Sequence, residues 1–316
     1  MTVTARPARN SLHGLWLALS TYRQTRSHTA PGPALGAVVM RPLIPIDERI
    51  KMKRQGVVLA SALGLGALLQ ASAAFAHSAC AGLPSYTALQ QALLNAREQS
   101  NGGFNLDMWG TIVNRDGIVC AVAFTGADRG AQWPGSRVIS AQKANTANAF
   151  SLPHLALSTA NLYSAVQPGG TLYGLQHSNP VDTAAAYAGP STAYGTAEDP
   201  LVGQKIGGVN VFGGGLALYG PGHVLLGALG VSGDSSCADH NIAWRTRHNL
   251  GMDYFGAVVG GVSGDGLRPD NIVNDIAAAS LATTVDGVNN SPSGWGHPSC
   301  SAVATAIAAG LPQVSP

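Results

Sequence analysis

The hydrophobic and polar positions after residue 84 follow first a helical period and then a strand period. Leu89, Leu93 and Ala96 recur at helical spacing, and Ser85 has the side chain of a helix N-cap. Further on, two apolar runs flank the segment Asn114–Gly117, which ends in the Asp-Gly dipeptide. Because that dipeptide favours the tightest hairpin turns, the two runs are predicted to be paired antiparallel strands.

The same criteria predict five helices and five strands in all. The predicted helices cover residues 85–98, 136–150, 158–166, 238–250 and 301–309. The predicted strands cover residues 108–113, 118–124, 208–212, 216–219 and 223–231, and residues 171–206 are predicted to be loop-like. No repeated alternation of strand and crossover helix occurs, which disfavours a doubly wound parallel sheet. The order predicts an α/β (α+β) domain, in which helices pack on a five-stranded antiparallel sheet.

The segment 52–76 has the order of a secretory signal peptide. Met52-Lys-Arg54 is basic, residues 56–69 are apolar, and Ala74-Phe-Ala76 is a small-residue cleavage site before His77. A transmembrane anchor is the alternative, because the uncharged run is long enough to span a bilayer. Residues 1–51 show no periodicity and are interpreted as a non-native or disordered extension.

Two further segments complete the predicted organisation of the chain. Residues 77–250 are predicted to be the folded domain. Residues 251–316 are predicted to be an extension rich in Gly and Asn that ends in a short helix. Cleavage near Ala76–His77 would place both segments in the periplasm or outside the cell.

Composition and charge narrow the classes of function. The chain has 316 residues, of which 46% are hydrophobic and only 11% charged, a profile that excludes a disordered or coiled-coil protein. The net charge of +2 hides two halves of opposite sign, because residues 1–76 carry +7 and residues 77–316 carry −5. An acidic domain with scattered cations lacks the basic patch of a nucleic-acid-binding protein.

Four cysteines follow the predicted cleavage site, which favours disulfides in an exported protein. Cys237 and Cys300 both lie in polar, loop-like sequence and are the first choice for a pair. Such a bridge would close a loop of about 60 residues and stabilise the fold by roughly 4 kcal/mol on the chain-entropy model. Cys120 lies in an apolar run, and a buried free thiol is the alternative for it.

Motifs for catalysis are missing from the sequence. There is no G-x-S-x-G elbow, no dinucleotide-binding or phosphate-binding glycine loop and no H-E-x-x-H. The sequence alone offers no nucleophile–base pair, which favours a binding protein over an enzyme. His240 and His248 are eight residues apart on one predicted helix and can line one surface of it, although two ordinary surface histidines would show the same spacing.

Three sequence blocks follow one another in residues 84–250. The first runs from Ser140 to Phe150 and contains Lys143-Ala-Asn-Thr146-Ala. The second is Gly207-Gly-Val-Asn-Val211, and the third is Val224–Gly233 with Asp239 and Ala243 after it. In this order the three blocks resemble the GlcG/HbpS family of haem-binding proteins. The long segment 166–206 and the tail after residue 250 depart from the short members of that family.

The resemblance implies a profilin-like domain that assembles into homo-oligomers and binds haem or a related tetrapyrrole. It implies storage, buffering or sensing of haem outside the cytoplasm, with a sensor or transport partner at the cell envelope. Two alternatives stay open. One is an enzyme that acts on haem or a small molecule in the same pocket, and the other is a structural oligomer with incidental haem affinity.

Seven residues are the expected cofactor-binding positions. His177 lies in a polar loop and is the first choice for the haem iron ligand, with His240 and His248 as alternatives. Lys143 could pair with a haem propionate, although a solvated helix lysine is the plain alternative. The resembling blocks add the last three positions, Thr146, Gly208 and Ser232. If no histidine binds the iron, a phenolate such as that of Tyr173 or Tyr187 is expected to do so.

Overall fold

The computed structural model describes residues 79–276 and 291–316. The predicted signal peptide and the extension before it lie outside the described residues. Within the described ranges the helices are α1 (Tyr86–Arg97), α2 (Ser136–Phe150), α3 (Tyr163–Val166), α4 (Leu175–Ser178), α5 (Thr183–Ala186), α6 (Ser236–Asn249) and α7 (Ala302–Ala309). The strands are β1 (Trp109–Asn114), β2 (Val119–Phe124), β3 (Gly215–Gly220) and β4 (Val224–Ser232).

The strands form one antiparallel sheet in the order β2-β1-β4-β3. The predicted antiparallel sheet packed with helices is therefore confirmed, including the hairpin at Asn114–Gly117. Ser85 is the N-cap of α1, since its hydroxyl accepts a hydrogen bond from the Ala88 amide. Ser301 caps α7 in the same way through the Ala304 amide.

The fifth predicted strand, residues 208–212, is wrong within the described part of the chain. Gly207 and Gly208 adopt φ values of 61° and 81°, a left-handed backbone that cannot continue a strand. Instead, side chains of α2 hold this segment. Asn145 donates to the Gly208 carbonyl at 2.8 Å, and Thr146 accepts from the Asn210 amide at 3.0 Å.

The predicted helix and loop between residues 158 and 206 also differ from the structure. The helix predicted over 158–166 is a 3-10 turn, Thr159–Leu162, followed by the single turn α3. The predicted loop contains the short helices α4 and α5. Short helical turns have too few residues to show a clear apolar period, so the pattern does not reveal them.

Helices cover both faces of the sheet. The odd positions Trp109 and Val113 of β1 face the core that includes α2, whereas Ile112 faces the core that includes α1 and α6. The contact with α2 is close at Gly230 of β4, where a Cβ atom would lie 1.9 Å from the Ser140 carbonyl oxygen. Only glycine fits there, so the third resembling block contains a residue required by packing.

Two disulfides close the structure, Cys80–Cys120 and Cys237–Cys300. The predicted Cys237–Cys300 pairing is confirmed, and the free-thiol alternative for Cys120 is wrong. The second bridge attaches the C-terminal segment to the start of α6. Among the described helices, none is sufficiently long and apolar to cross a lipid bilayer.

Candidate functional site

Lys143 of α2 forms a buried ion pair with Asp239 of α6. Its ammonium donates to Asp239 Oδ2 at 2.7 Å and to the Val231 carbonyl at 3.1 Å. The two residues are 1% and 2% exposed. Burial raises the pKa of Asp239 to about 6, and the attraction of Lys143 offsets only part of that rise. The charge of Lys143 is therefore already matched inside the protein.

The lack of a side chain at Gly214 leaves room for the ion pair. This residue adopts a φ of 115°, and a Cβ atom there would lie 3.2 Å from the Lys143 ammonium and 2.3 Å from the Val231 carbonyl oxygen. Ser232, another expected binding residue, is buried at the end of β4 and lies opposite Trp109 in the sheet. Lys143, Ser232 and Asp239 are thus brought into one region.

Thr146 and Gly208 meet in the segment that replaces the predicted fifth strand. The Thr146 hydroxyl donates to the Gln142 carbonyl at 2.8 Å and accepts from the Asn210 amide. A Cβ atom at Gly208 would lie 2.9 Å from Gln142 Nε2. Both residues therefore have a structural role, because they hold the segment after Ile206 against α2. Their predicted role in cofactor binding stays a prediction.

His240 is completely buried in α6. Its Nε2 lies 3.1 Å from Asn271 Oδ1 and 3.1 Å from the Ile272 amide, and Asn271 is oriented by donating to the Ala308 carbonyl. Its Nδ1 has no hydrogen-bond partner in the part of the chain that the structure describes. Burial lowers the pKa of His240 to about 3, so the ring is neutral at ordinary pH.

His248 lies in the last turn of α6 and has a different environment. Its Nδ1 donates to Asp253 Oδ2 at 2.8 Å, while 41% of its side chain is exposed. Asp253 is 1% exposed and is fixed in turn by the Ser315 hydroxyl, which donates to Oδ1 at 2.8 Å. A carboxylate that accepts the Nδ1 hydrogen fixes the tautomer. The Nε2 lone pair is therefore left available at the surface.

His177 lies in the short helix α4 and is exposed. Within residues 79–276 and 291–316, its ring has no hydrogen-bond partner that would orient it. Tyr173 and Tyr187, the alternative ligands, are 63% and 58% exposed. Among the described residues, no hydrogen bond or ion pair joins Lys143 to His177, His240 or His248.

The structure also brings together two residues that sequence reasoning missed. Ser236, the first residue of α6, lies with its hydroxyl 2.7 Å from His297 Nε2. Its neighbour Cys237 is bonded to Cys300, three residues after His297. The predicted disulfide was the one signal in the sequence that placed these two segments side by side.

The ligand atoms of Cys237, His297 and Cys300 lie within 4.8 Å of one another, a spacing that metal sites also show. Both sulfur atoms are in the disulfide and cannot act as thiolate ligands. The two cysteines therefore form a disulfide that lies beside His297.

Comparison with known proteins gives a family and several similar solved structures. A family model described as "Haem degrading protein HbpS-like" matches residues 85–247, just over half of the chain. PduOC, solved as a complex with haem, is 24% identical with a TM-score of 0.36 over 52% of this chain and 89% of that chain. The Klebsiella pneumoniae protein ORFY is 24% identical with a TM-score of 0.35 over 52% of this chain and 88% of that chain. A search of curated proteins found no significant match.

Proposed function

Because the chain belongs to the HbpS-like family of haem-degrading proteins, we propose that it is an exported haem-binding protein that stores, buffers or senses haem. The observation that carries the proposal is the pairing of His248 with the buried carboxylate of Asp253. Imidazole is a common axial ligand of haem iron, and metal-binding histidines usually donate their second ring N–H to such a carboxylate.

The donor set near the end of α6 fits haem. His248 offers an oriented, half-exposed Nε2, whereas the Nε2 of His240 is already held by Asn271 and Ile272. His177 is exposed, and no hydrogen-bond partner in the described part of the chain fixes its ring. We therefore place the iron ligand at His248 first and keep His177 and His240 as the alternatives.

An apolar groove borders the same end of α6. It has a volume of about 510 Å³, and Asn249 and Leu250, which directly follow His248, lie along it. Leu83, Ala92 and Met252 contribute further apolar surface. A porphyrin is a large apolar ligand with a few polar groups at its edge, and concave apolar surfaces of this kind bind such ligands. When bound at His248, haem would supply redox-active iron.

Lys143 has a more limited role in this proposal than the resemblance implies. Its ammonium is paired with Asp239, so a haem propionate would have to replace that carboxylate. We therefore propose that Lys143 serves in the ion pair, and its contact with a haem propionate stays a prediction.

Export supports the choice of storage, buffering or sensing. Disulfides persist in oxidising compartments, and the chain has two of them. The predicted signal at residues 52–76 would deliver the domain there. A homo-oligomer and a sensor or transport partner at the envelope complete the proposal that the family resemblance suggests.

Haemin titration of the purified exported protein tests the function. A Soret band that saturates at a fixed ratio of haemin to protein is the expected result. Absorbance that rises without saturation would overturn the proposal. A band that saturates and then disappears with reductant and oxygen, releasing a linear tetrapyrrole, would replace storage with degradation.

A further inference from the structure

We propose that Ser236 and His297 form a nucleophile–base pair that acts on neutral carboxylic esters. The pair lies at the start of α6, and one of its members comes from the C-terminal segment beyond the residues that match the family model. It is independent of the proposed haem ligand His248, which lies in the last turn of the same helix.

The hydrogen bonds around His297 fix which atom carries which proton. His297 Nδ1 lies 2.7 Å from the Pro298 carbonyl, and a carbonyl can only accept, so Nδ1 carries the hydrogen and donates it. Nε2 is therefore the unprotonated nitrogen and accepts the hydroxyl proton of Ser236 at 2.7 Å. The Gly213 amide donates to the same hydroxyl oxygen at 2.7 Å, which turns the hydroxyl proton away from Gly213 and towards His297.

His297 is kept neutral by its surroundings. It is 3% exposed, and burial lowers its pKa to about 4, with a smaller contribution from the positive charge of Lys143. The ring of Tyr163 lies 4.9 Å from the imidazole ring and shields it further. A buried neutral imidazole oriented through Nδ1 has the tautomer that a general base for a serine requires.

The Cys237–Cys300 disulfide holds the two halves of the pair in place. Cys237 directly follows Ser236, and Cys300 lies three residues after His297. The amide of each cysteine donates to the sulfur of the other at 3.1 Å. The covalent link and these two hydrogen bonds fix the distance between residues that are 61 positions apart.

The reaction is ordinary ester hydrolysis in two steps. Ser236 Oγ bonds to the ester carbonyl carbon while His297 Nε2 takes the hydroxyl proton, and the carbon–alkoxide bond breaks as His297 returns that proton to the leaving alcohol. Water then attacks the acyl-serine with His297 again as base, which releases the carboxylic acid and restores Ser236. The Ser236 amide lies in the first turn of α6, where an N–H has no partner within the helix and can stabilise the oxyanion.

The surroundings favour a neutral substrate. Among the described residues, the groups that hydrogen-bond to the Ser236 and His297 side chains from outside the pair are the Gly213 amide and the Pro298 carbonyl, which are uncharged. Phe212, next to Gly213, is 47% exposed and offers an apolar surface for an acyl or aryl group. Because a carbonyl stabilises an imidazolium less than a carboxylate does, turnover should be slow. With an aryl ester, whose leaving phenolate needs little help from an acid, acylation should be faster than hydrolysis of the acyl-serine, which then accumulates.

Labelling with a fluorophosphonate probe tests the pair on the intact exported protein. Proteolysis and mass spectrometry of the labelled wild type should place the modification on Ser236. Ser236→Ala and His297→Gln should each lower labelling and the burst of p-nitrophenyl butyrate hydrolysis at least ten-fold. Ser299→Ala removes an exposed serine of the same disulfide-linked segment, whose hydroxyl contacts Thr305, and should leave both unchanged.

Two results would overturn the inference, and neither depends on how well a variant folds. The first is a wild-type protein that stays unlabelled under conditions that modify an ordinary serine hydrolase. The second is a wild-type modification on a serine other than Ser236. Equal unfolding midpoints for His297→Gln and wild type would show that a loss of labelling reflects the missing base.

Discussion

The Lys143 ammonium donates to Asp239 Oδ2 at 2.7 Å, and this ion pair joins helices α2 and α6 inside the protein. Removing one partner leaves a buried charge without its counter-ion, which typically costs 3–5 kcal/mol. We expect Lys143→Met and Asp239→Asn each to lower the free energy of unfolding in urea by roughly 3–5 kcal/mol.

The double variant is the control for that ion pair. With both charges removed, Lys143→Met/Asp239→Asn should recover a large part of the stability lost by either single variant, because no unpaired charge stays buried. Single variants that each cost less than about 1 kcal/mol, within the range of an exposed pair, would contradict a buried ion pair.

The free energy of unfolding should fall as the pH falls from 6.5 to about 4, the range set by the pKa of His297 in the unfolded and the folded protein. Its pKa is lowered to about 4 in the folded protein, against 6.5 for an ordinary histidine, so the unfolded chain binds the proton first. The contribution of His297 is complete above pH 6.5 and decreases towards pH 4. At pH 4.5 the loss should reach about 2–3 kcal/mol.

His297→Gln should remove that part of the pH dependence. Urea unfolding at pH 7 and pH 4.5 should therefore give a smaller difference for the variant than for the wild type. Burial of Asp239 acts in the opposite direction, since its pKa is raised to about 6 and its contribution falls as the pH rises from 4 to 6. Identical pH dependence in wild type and variant would refute a buried, neutral His297.

The Cys237–Cys300 bridge should make a measurable contribution to stability. It links residues 63 positions apart, and on the chain-entropy model a loop of that size stabilises the fold by about 4 kcal/mol. Cys237→Ala/Cys300→Ala should lower the free energy of unfolding by that order, measured in urea without reductant. A change below about 1 kcal/mol would be inconsistent with the constraint on the unfolded chain.

Export should remove residues 1–76. The basic start at Met52, the apolar run and the Ala74-Phe-Ala76 site predict a mature protein that begins at His77. Mass spectrometry of the N-terminal peptide of the exported protein measures this directly. A peptide that begins within residues 1–51 would contradict both the start and the cleavage.

Local signals in the sequence were sufficient for much of the fold. The Ser85 cap and the turn at Asn114–Gly117 depend on residues within a few positions of each other, and both were predicted correctly. The fifth strand was wrong because the apolar pattern of residues 208–212 does not reveal the left-handed backbone of Gly207 and Gly208.

The candidate site was less predictable because its contacts are long-range. Asp239 was recognised in a resembling block, but its contact with Lys143, 96 residues away, follows only from the packing of two helices. Asp253 accepts the Nδ1 hydrogen of His248 and so determines which ring nitrogen is free, but no sequence motif marks Asp253. Ser236 and His297 could be brought together only through the disulfide beside them.

Haemin titration of the exported protein and its histidine variants tests the account most directly. His248→Ala should shift the Soret maximum and weaken haemin binding at least ten-fold, while Asp253→Asn should weaken binding and keep the axial nitrogen. Variants that lose an outer partner of a metal ligand typically lose 10- to 100-fold in affinity. His177→Ala is the matched control and should bind as the wild type does. A wild-type spectrum and affinity in His248→Ala would contradict the account, and a shifted Soret maximum in His177→Ala would place the iron ligand in α4 instead.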